Sequence, residues 1–181
     1  AALAFLPAAA AEVLRRELAA GRIADGALVE RAILARLRQM TEEEFAAYDG
    51  GGEGLYHRVY DAVRRCATVE ELLAAVKTKR YTAARLRRMV LSAWLGLPKA
   101  PETVPYARVL AANETGRALL RQMRKAGAPV LTKAADVAAL GSGAEALFRR
   151  EAGYTDLYTL AYTDLAQAVP GSDWRLTPMM K

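Results

Sequence analysis

The chain has 181 residues, of which 53% are hydrophobic and 25% charged, with a net charge of +6. That is enough for one sizeable domain, or a domain with an appendage, with a core that needs no staples. A single cysteine excludes an internal disulfide, one histidine and one cysteine cannot supply a clustered metal site, and no apolar stretch reaches the roughly 18 residues of a membrane span.

Alanine and leucine dominate while aromatics make up only 7%, a bias that favours helix. Pro7 suits the first turn of a helix through AEVLRREL, and Gly21 is its stop. A second helix is predicted over residues 27–40, with Leu28, Ile33, Leu34 and Leu37 on one face. Thr41 with Glu44 is a capping-box pattern opening a short third helix, EEEFAAY. The glycines of DGGGEG mark a loop, because adjacent glycines lose too much entropy in a helix. Residues 55–67 return to helix, with Leu55, Val59, Ala62 and Val63 facing inward. Thr68 with Glu71 is a second capping box, and Thr82 caps a further helix that ends at Gly96 and Pro98. Leu86, Val90 and Leu91 are its expected core residues.

Beyond Pro98 the composition shifts. KAPETVP reads as a connection, PYARVLAAN and PVLTK are strand-like, and ETGRALLRQMRKAG between them is an amphipathic helix. Strand, helix and strand in about 30 residues predict a small βαβ unit with a parallel pair. A short helix from Ala134 and a longer one over residues 144–164 follow, and VPGSDWRLTPMMK reads as irregular. The expected fold is mainly α: a helical domain over residues 1–98 carrying a basic motif, and a smaller α/β appendage over residues 99–181 packed on it.

Sites for covalent chemistry are absent. There is no G-x-x-x-x-G-K-[ST] loop, no G-x-G-x-x-G after a strand and no G-x-S-x-G elbow. Glu42 to Glu44 read as the dipole-favoured first turn of a helix, His57 as a polar-face residue and Cys66 as a structural thiol. No catalytic residue is assigned. The reducing cytoplasm is the simplest compartment for such a chain.

One segment stands out. From Lys77 to Arg88 there are six cations (Lys77, Lys79, Arg80, Arg85, Arg87 and Arg88) and no acid, a local excess equal to the net charge of the whole chain. The lysines and Arg80 fall at a helix-to-helix turn, and the arginines fall on the helix that Thr82 opens. That helix N-terminus adds N–H donors for an anion. Arginine forks and lysine point charges both suit phosphates, and Tyr81 can either stack a base or pack beneath the charges. The bland alternative is a solvated helix face with ion pairs to Glu70 or Glu71. Arg117, Arg121 and Arg124 share one face of a later helix and are further candidates for RNA contact.

The stretch EGLYHRVYDAVRRCATVEELLAAVKTKRYTAARLRRMVLSAWLGL resembles the tRNA(Met) cytidine acetate ligase family of HIGH-type nucleotidyltransferase-like proteins. It carries EGL-x-x-R (Glu53, Gly54, Leu55, Arg58) followed by Val76 to Thr82, Arg85 and Arg88. Further matches run from Ala32 to Phe45, Pro105 to Leu120 and Thr155 to Leu160, in preserved order. The resemblance implies enzymes that form acetyl-adenylate from ATP and acetate and then acetylate the wobble cytidine of elongator tRNA(Met). It places the adenylating chemistry in an N-terminal Rossmann-like domain with a HIGH-type motif. His57 lies outside any such motif and the chain opens in mid-pattern. The expectation is therefore a C-terminal, tRNA-binding part, with no cofactor of its own, ATP implied for the full-length parent, and a missing catalytic domain as partner. Two alternatives stay open: a helical interaction or dimerisation module forming a homo-oligomer, and a basic motif that faces nucleotide phosphates.

Overall fold

The computed structural model describes residues 2–49, 54–97 and 104–181. The glycine-rich segment after Asp49 and most of the connection after Leu97 lie outside the described residues. The fold is mainly helical with a minor β part.

Helix α1 (Ala8–Ala19) begins at Pro7, and the chain leaves it through Gly21 at φ 69°, a left-handed position where glycine has no Cβ to clash. Asp25 caps α2 (Gly26–Gln39) by accepting from the Ala27 amide. Thr41 and Glu44 form the expected reciprocal box at α3 (Glu42–Ala46). After α4 (Leu55–Val63), the Thr68 hydroxyl caps α5 (Val69–Val76), while the Glu71 carboxylate accepts from the Ala67 amide at 2.8 Å. Thr82 caps α6 (Ala83–Leu95), which closes on Gly96 in the left-handed region. Each cap satisfies amides that have no partner within the first helical turn.

The C-terminal half contains β1 (Ala107–Arg108), β2 (Ala111–Ala112), α7 (Glu114–Lys125), β3 (Val130–Leu131), a 3-10 segment (Ala134–Leu140), α8 (Ser142–Thr159), α9 (Ser172–Arg175) and β4 (Met179–Met180). The strands β1 and β3 pair in parallel across α7, with Ala107 opposite Val130 and Arg108 opposite Leu131, as the strand–helix–strand pattern predicts. The tail is not irregular throughout: β4 pairs in parallel with β2, Ala111 opposite Met179 and Ala112 opposite Met180. Two-residue strands leave no alternation to read in the sequence.

The compact units differ from the sequence division at residue 98. One unit is Asp25–Ala100; the other joins Ala1–Ala24 to Pro101–Lys181. The reason is backbone pairing of residues far apart in sequence. Ala24 bridges Tyr162, the Asp164 amide donates to the Gly21 carbonyl at 3.1 Å, and the Thr163 amide donates to Ile23 at 3.2 Å.

In the Asp25–Ala100 unit, Ile33, Leu34, Leu37, Phe45, Leu55, Val59, Val63, Leu72, Val76, Leu86 and Val90 are buried together with Ala93. Two residues expected on core faces are not: Leu28 is 54% exposed and Leu91 44%, while Val29 and Met89 take the inward positions. A helix face drifts by a residue without breaking its pattern, so spacing alone did not separate neighbours. In the other unit, Tyr106, Leu131, Ala134, Val137, Ala144 and Phe148 form the core. Phe148 meets Trp174 edge-on at 4.8 Å, and Arg108 lies 5.0 Å over the Phe148 ring while pairing with Asp173 at 2.8 Å.

Tyr106 ties α8 to β1. Its hydroxyl donates to Glu151 at 2.5 Å, and burial, followed by the Glu151 hydrogen bond, pushes its phenol above the ordinary range. The folded state therefore holds this proton more tightly than the unfolded chain. The contribution to stability is complete below the unfolded pKa of about 10 and is lost as pH rises above it. Tyr106→Phe should cost about 1–2 kcal/mol in urea unfolding at neutral pH. The margin between wild type and variant should shrink above about pH 10; a margin that grows there would contradict this account.

Candidate nucleic-acid interface

Helix α5 ends because Lys77 leaves the helical region, at φ −59° and ψ 132°. The chain then turns tightly. The Thr78 amide donates to the Tyr81 carbonyl at 3.4 Å, and the Tyr81 amide donates to the Thr78 hydroxyl at 3.1 Å. This turn leaves Lys77, Lys79 and Arg80 exposed and drives the Tyr81 ring inward, to 5% exposure. Of the two roles open to Tyr81, the structure shows packing beneath the charges. The Arg80 and Arg85 guanidinium carbons lie 6.0 and 5.4 Å from its ring centre, within the range of cation–π attraction.

The arginines of α6 divide into two kinds. Arg87 and Arg88 are exposed. Arg85 is half-buried, and its Nη2 donates to the Asp49 carbonyl at 3.1 Å and to Asp49 Oδ1 at 3.4 Å. The Asp49 side chain is only 3% exposed. Sequence reasoning grouped Arg85 with Arg88 as projecting charges and missed Asp49. The partner lies 36 positions upstream, where no local spacing signals it. The bland alternative of ion pairs to Glu70 or Glu71 does not occur for Lys77, Lys79, Arg87 or Arg88 among the described residues. Glu71 accepts from a backbone amide instead, as does Glu30, which takes the Val69 amide at 2.9 Å.

His57, on the exposed face of α4, pairs through Nδ1 with Glu42 at the start of α3 and stacks on Tyr56 at 3.9 Å between ring centres. Cys66 is half-buried and its carbonyl accepts from Arg38 at 3.1 Å. Among the described residues no group of three or more His, Cys, Asp and Glu could hold a metal ion. No described helix is long and apolar enough to cross a membrane.

Arg117, Arg121 and Arg124 are all exposed on α7 and belong to the other compact unit from Lys77–Arg88. Asn113 caps this helix by accepting from the Gly116 amide at 2.8 Å. Arg121 donates to the Arg117 carbonyl at 3.3 Å, and Arg124 to the Thr132 hydroxyl. Among the described residues the arrangement at either basic region can hold phosphates by charge.

The family model described as HIGH nucleotidyl transferase matches residues 1–171, and the chain belongs to that family. Among curated relatives, the tRNA(Met) cytidine acetate ligase of Thermoanaerobacter sp. (strain X514) is 34% identical over 134 residues, covering 71% of this chain and 32% of that protein. The tRNA(Met) cytidine acetate ligase of Acetivibrio thermocellus is 28% identical over 184 residues, covering 93% and 43%. The chain therefore spans less than half the length of these relatives. Crystal structures of Thermotoga maritima TmcAL, apo and bound with alpha-thio ATP, share the fold. Their TM-scores are 0.86 and 0.85 at 24% identity, covering 97% of this chain and 45% and 46% of theirs.

One expectation is overturned. The single histidine suggested a C-terminal part lacking the family's catalytic domain, yet the family model covers residues 1–171. A missing short motif bears on a few positions, whereas the family match runs along nearly the whole chain.

The division of the arginines is directly testable. Arg85→Ala leaves the Asp49 carboxylate buried without this partner and should cost about 2–3 kcal/mol in denaturant unfolding. Arg88→Ala, at an exposed position, should stay within about 0.5 kcal/mol of wild type. Equal losses would show that Arg85 is not a structural cation.

Proposed function

We propose that this chain acts as a tRNA(Met) cytidine acetate ligase, in which ATP and acetate yield acetyl-adenylate and the acetyl group passes to the wobble cytidine of elongator tRNA(Met). Its contribution is to hold the tRNA, through the exposed cations Lys77, Lys79, Arg80, Arg87 and Arg88. The observation that carries this reading is a turn, capped by Thr82 and floored by the buried Tyr81 ring, that presents five exposed cations and no acid. The names of the relatives supply the substrate, and the cytoplasm is the compartment this reading implies. Exposed cations clustered in this way bind phosphodiesters by releasing counterions.

The basic turn offers charges and a helix N-terminus that suit phosphates of an RNA strand or of a nucleotide.

Lys77→Ala, Lys79→Ala and Arg88→Ala together should weaken binding of a tRNA(Met) transcript on the order of tenfold in a gel-shift titration. The slope of log affinity against log salt should flatten by about 2–3. Unfolding midpoints should not move. Unchanged tRNA affinity would remove this surface from the contact. Loss of ATP affinity with unchanged tRNA affinity would favour the nucleotide-facing alternative. Self-association that hides the turn, seen by light scattering, would favour the dimerisation module.

A further inference from the structure

The second basic region carries an inference of its own. Arg117, Arg121 and Arg124 are separated by four and three residues, so they lie along one face of α7. Seven residues of helix place the row along about 10 Å of axis. Lys133 sits two residues beyond the carboxyl end of β3, in the position where parallel sheets receive ligands. These four cations line one cleft of about 480 Å³.

The tail completes the cleft. The Met179 amide donates to the Leu110 carbonyl at 3.0 Å and the Lys181 amide to Ala112 at 3.1 Å. Pro178 and Met180 are thereby fixed as an apolar wall, which Leu120 of α7 continues.

The electrostatics of the cleft are one-sided. No carboxylate lines it, and among the described residues none of the four cations makes an ion pair. Like charges at these helical spacings repel, and an anion laid along the row relieves that repulsion. Two anion chemistries can be separated by shape. A triphosphate is a compact cluster of charge, whereas this lining spreads its cations along an open row. An open row of guanidinium groups about 10 Å long suits successive phosphodiesters of a strand, with the apolar wall beside it for sugars and base faces.

We propose that this cleft binds the sugar–phosphate backbone of an RNA strand, as a second contact surface distinct from the turn at Lys77–Arg88. The proposal rests on the tRNA reading above and adds Lys133 to the residues that hold the nucleic acid. The test uses the intact protein, a tRNA(Met) transcript, and ATP and inorganic tripolyphosphate as competing probes, in fluorescence anisotropy across a salt series. The variant is Arg117→Gln with Arg121→Gln and Lys133→Gln; Arg124 is kept because it bonds Thr132. Expected are a tRNA affinity on the order of tenfold lower and a salt slope flatter by about 2–3. The thermal midpoint should be unchanged. The charge-keeping variant Arg117→Lys with Arg121→Lys and Lys133→Arg should retain the wild-type slope, and serves as the measurement should the glutamine variant unfold. Wild-type slope and affinity in the glutamine variant, with binding still weakened by Lys77→Ala, Lys79→Ala and Arg88→Ala, would overturn the cleft and leave the proposed function standing. A wild type that binds no tRNA would overturn both. Loss of ATP or tripolyphosphate binding without loss of tRNA binding would overturn the strand reading in favour of free phosphates.

Discussion

A carboxylate removed from water must be met by a cation or by donors, and Asp49 is such a carboxylate. The Arg85 guanidinium meets it from α6, and the same group lies over the Tyr81 ring. This one side chain thus joins the end of the α3 region, the start of α6 and the floor of the basic turn. With the ring held inside, the backbone between Lys77 and Thr82 must carry its neighbours outward. The exposed lysines flank a turn anchored by a half-buried arginine that reaches inward to Asp49.

That arrangement separates two uses of positive charge within twelve residues. Arg85 is spent on the interior, where pairing is structural and where its removal leaves a buried acid exposed to an apolar surrounding. Lys77, Lys79, Arg87 and Arg88 remain on the surface, where isolated pairs contribute little to folding and where charge governs encounters with polyanions instead. The family to which the chain belongs includes relatives named for a tRNA substrate, and the division of labour among these residues is compatible with such a partner.

Much of the helical framework was legible because its signals are local. Thr41–Glu44, Thr68–Glu71 and Thr82 each lie within three residues of the amides they satisfy, and all three became caps. The strand–helix–strand reading around α7 also rests on adjacent segments and produced the β1–β3 pair. What escaped was set by distance or by phase. Asp49 is 36 positions from Arg85, β4 is too short to alternate, and the exchange of Leu28 for Val29 on the inner face of α2 is a rotation by one residue. Within the basic segment, charge was readable from composition, but which arginine turns inward depends on a neighbour that only the fold supplies. The compact unit that joins residues 1–24 to the C-terminal half was not legible for the same reason: the partners of Gly21, Ile23 and Ala24, Tyr162 to Asp164, come from far along the chain.

The bridge between Ala24 and Tyr162, with Arg22 reaching Gln167 across 145 positions, has a bearing on how the protein is made. A ribosome delivers Ala1–Ala24 long before the segment they pair with. The unit Asp25–Ala100 is continuous and can close on its own contacts while synthesis proceeds. The segment Gly21–Ala24 must wait for its partners at Tyr162–Asp164, some 138 residues after Ala24, because the loop cannot be closed before its other end exists. The continuous unit can thus form before the unit whose two parts are separated by it.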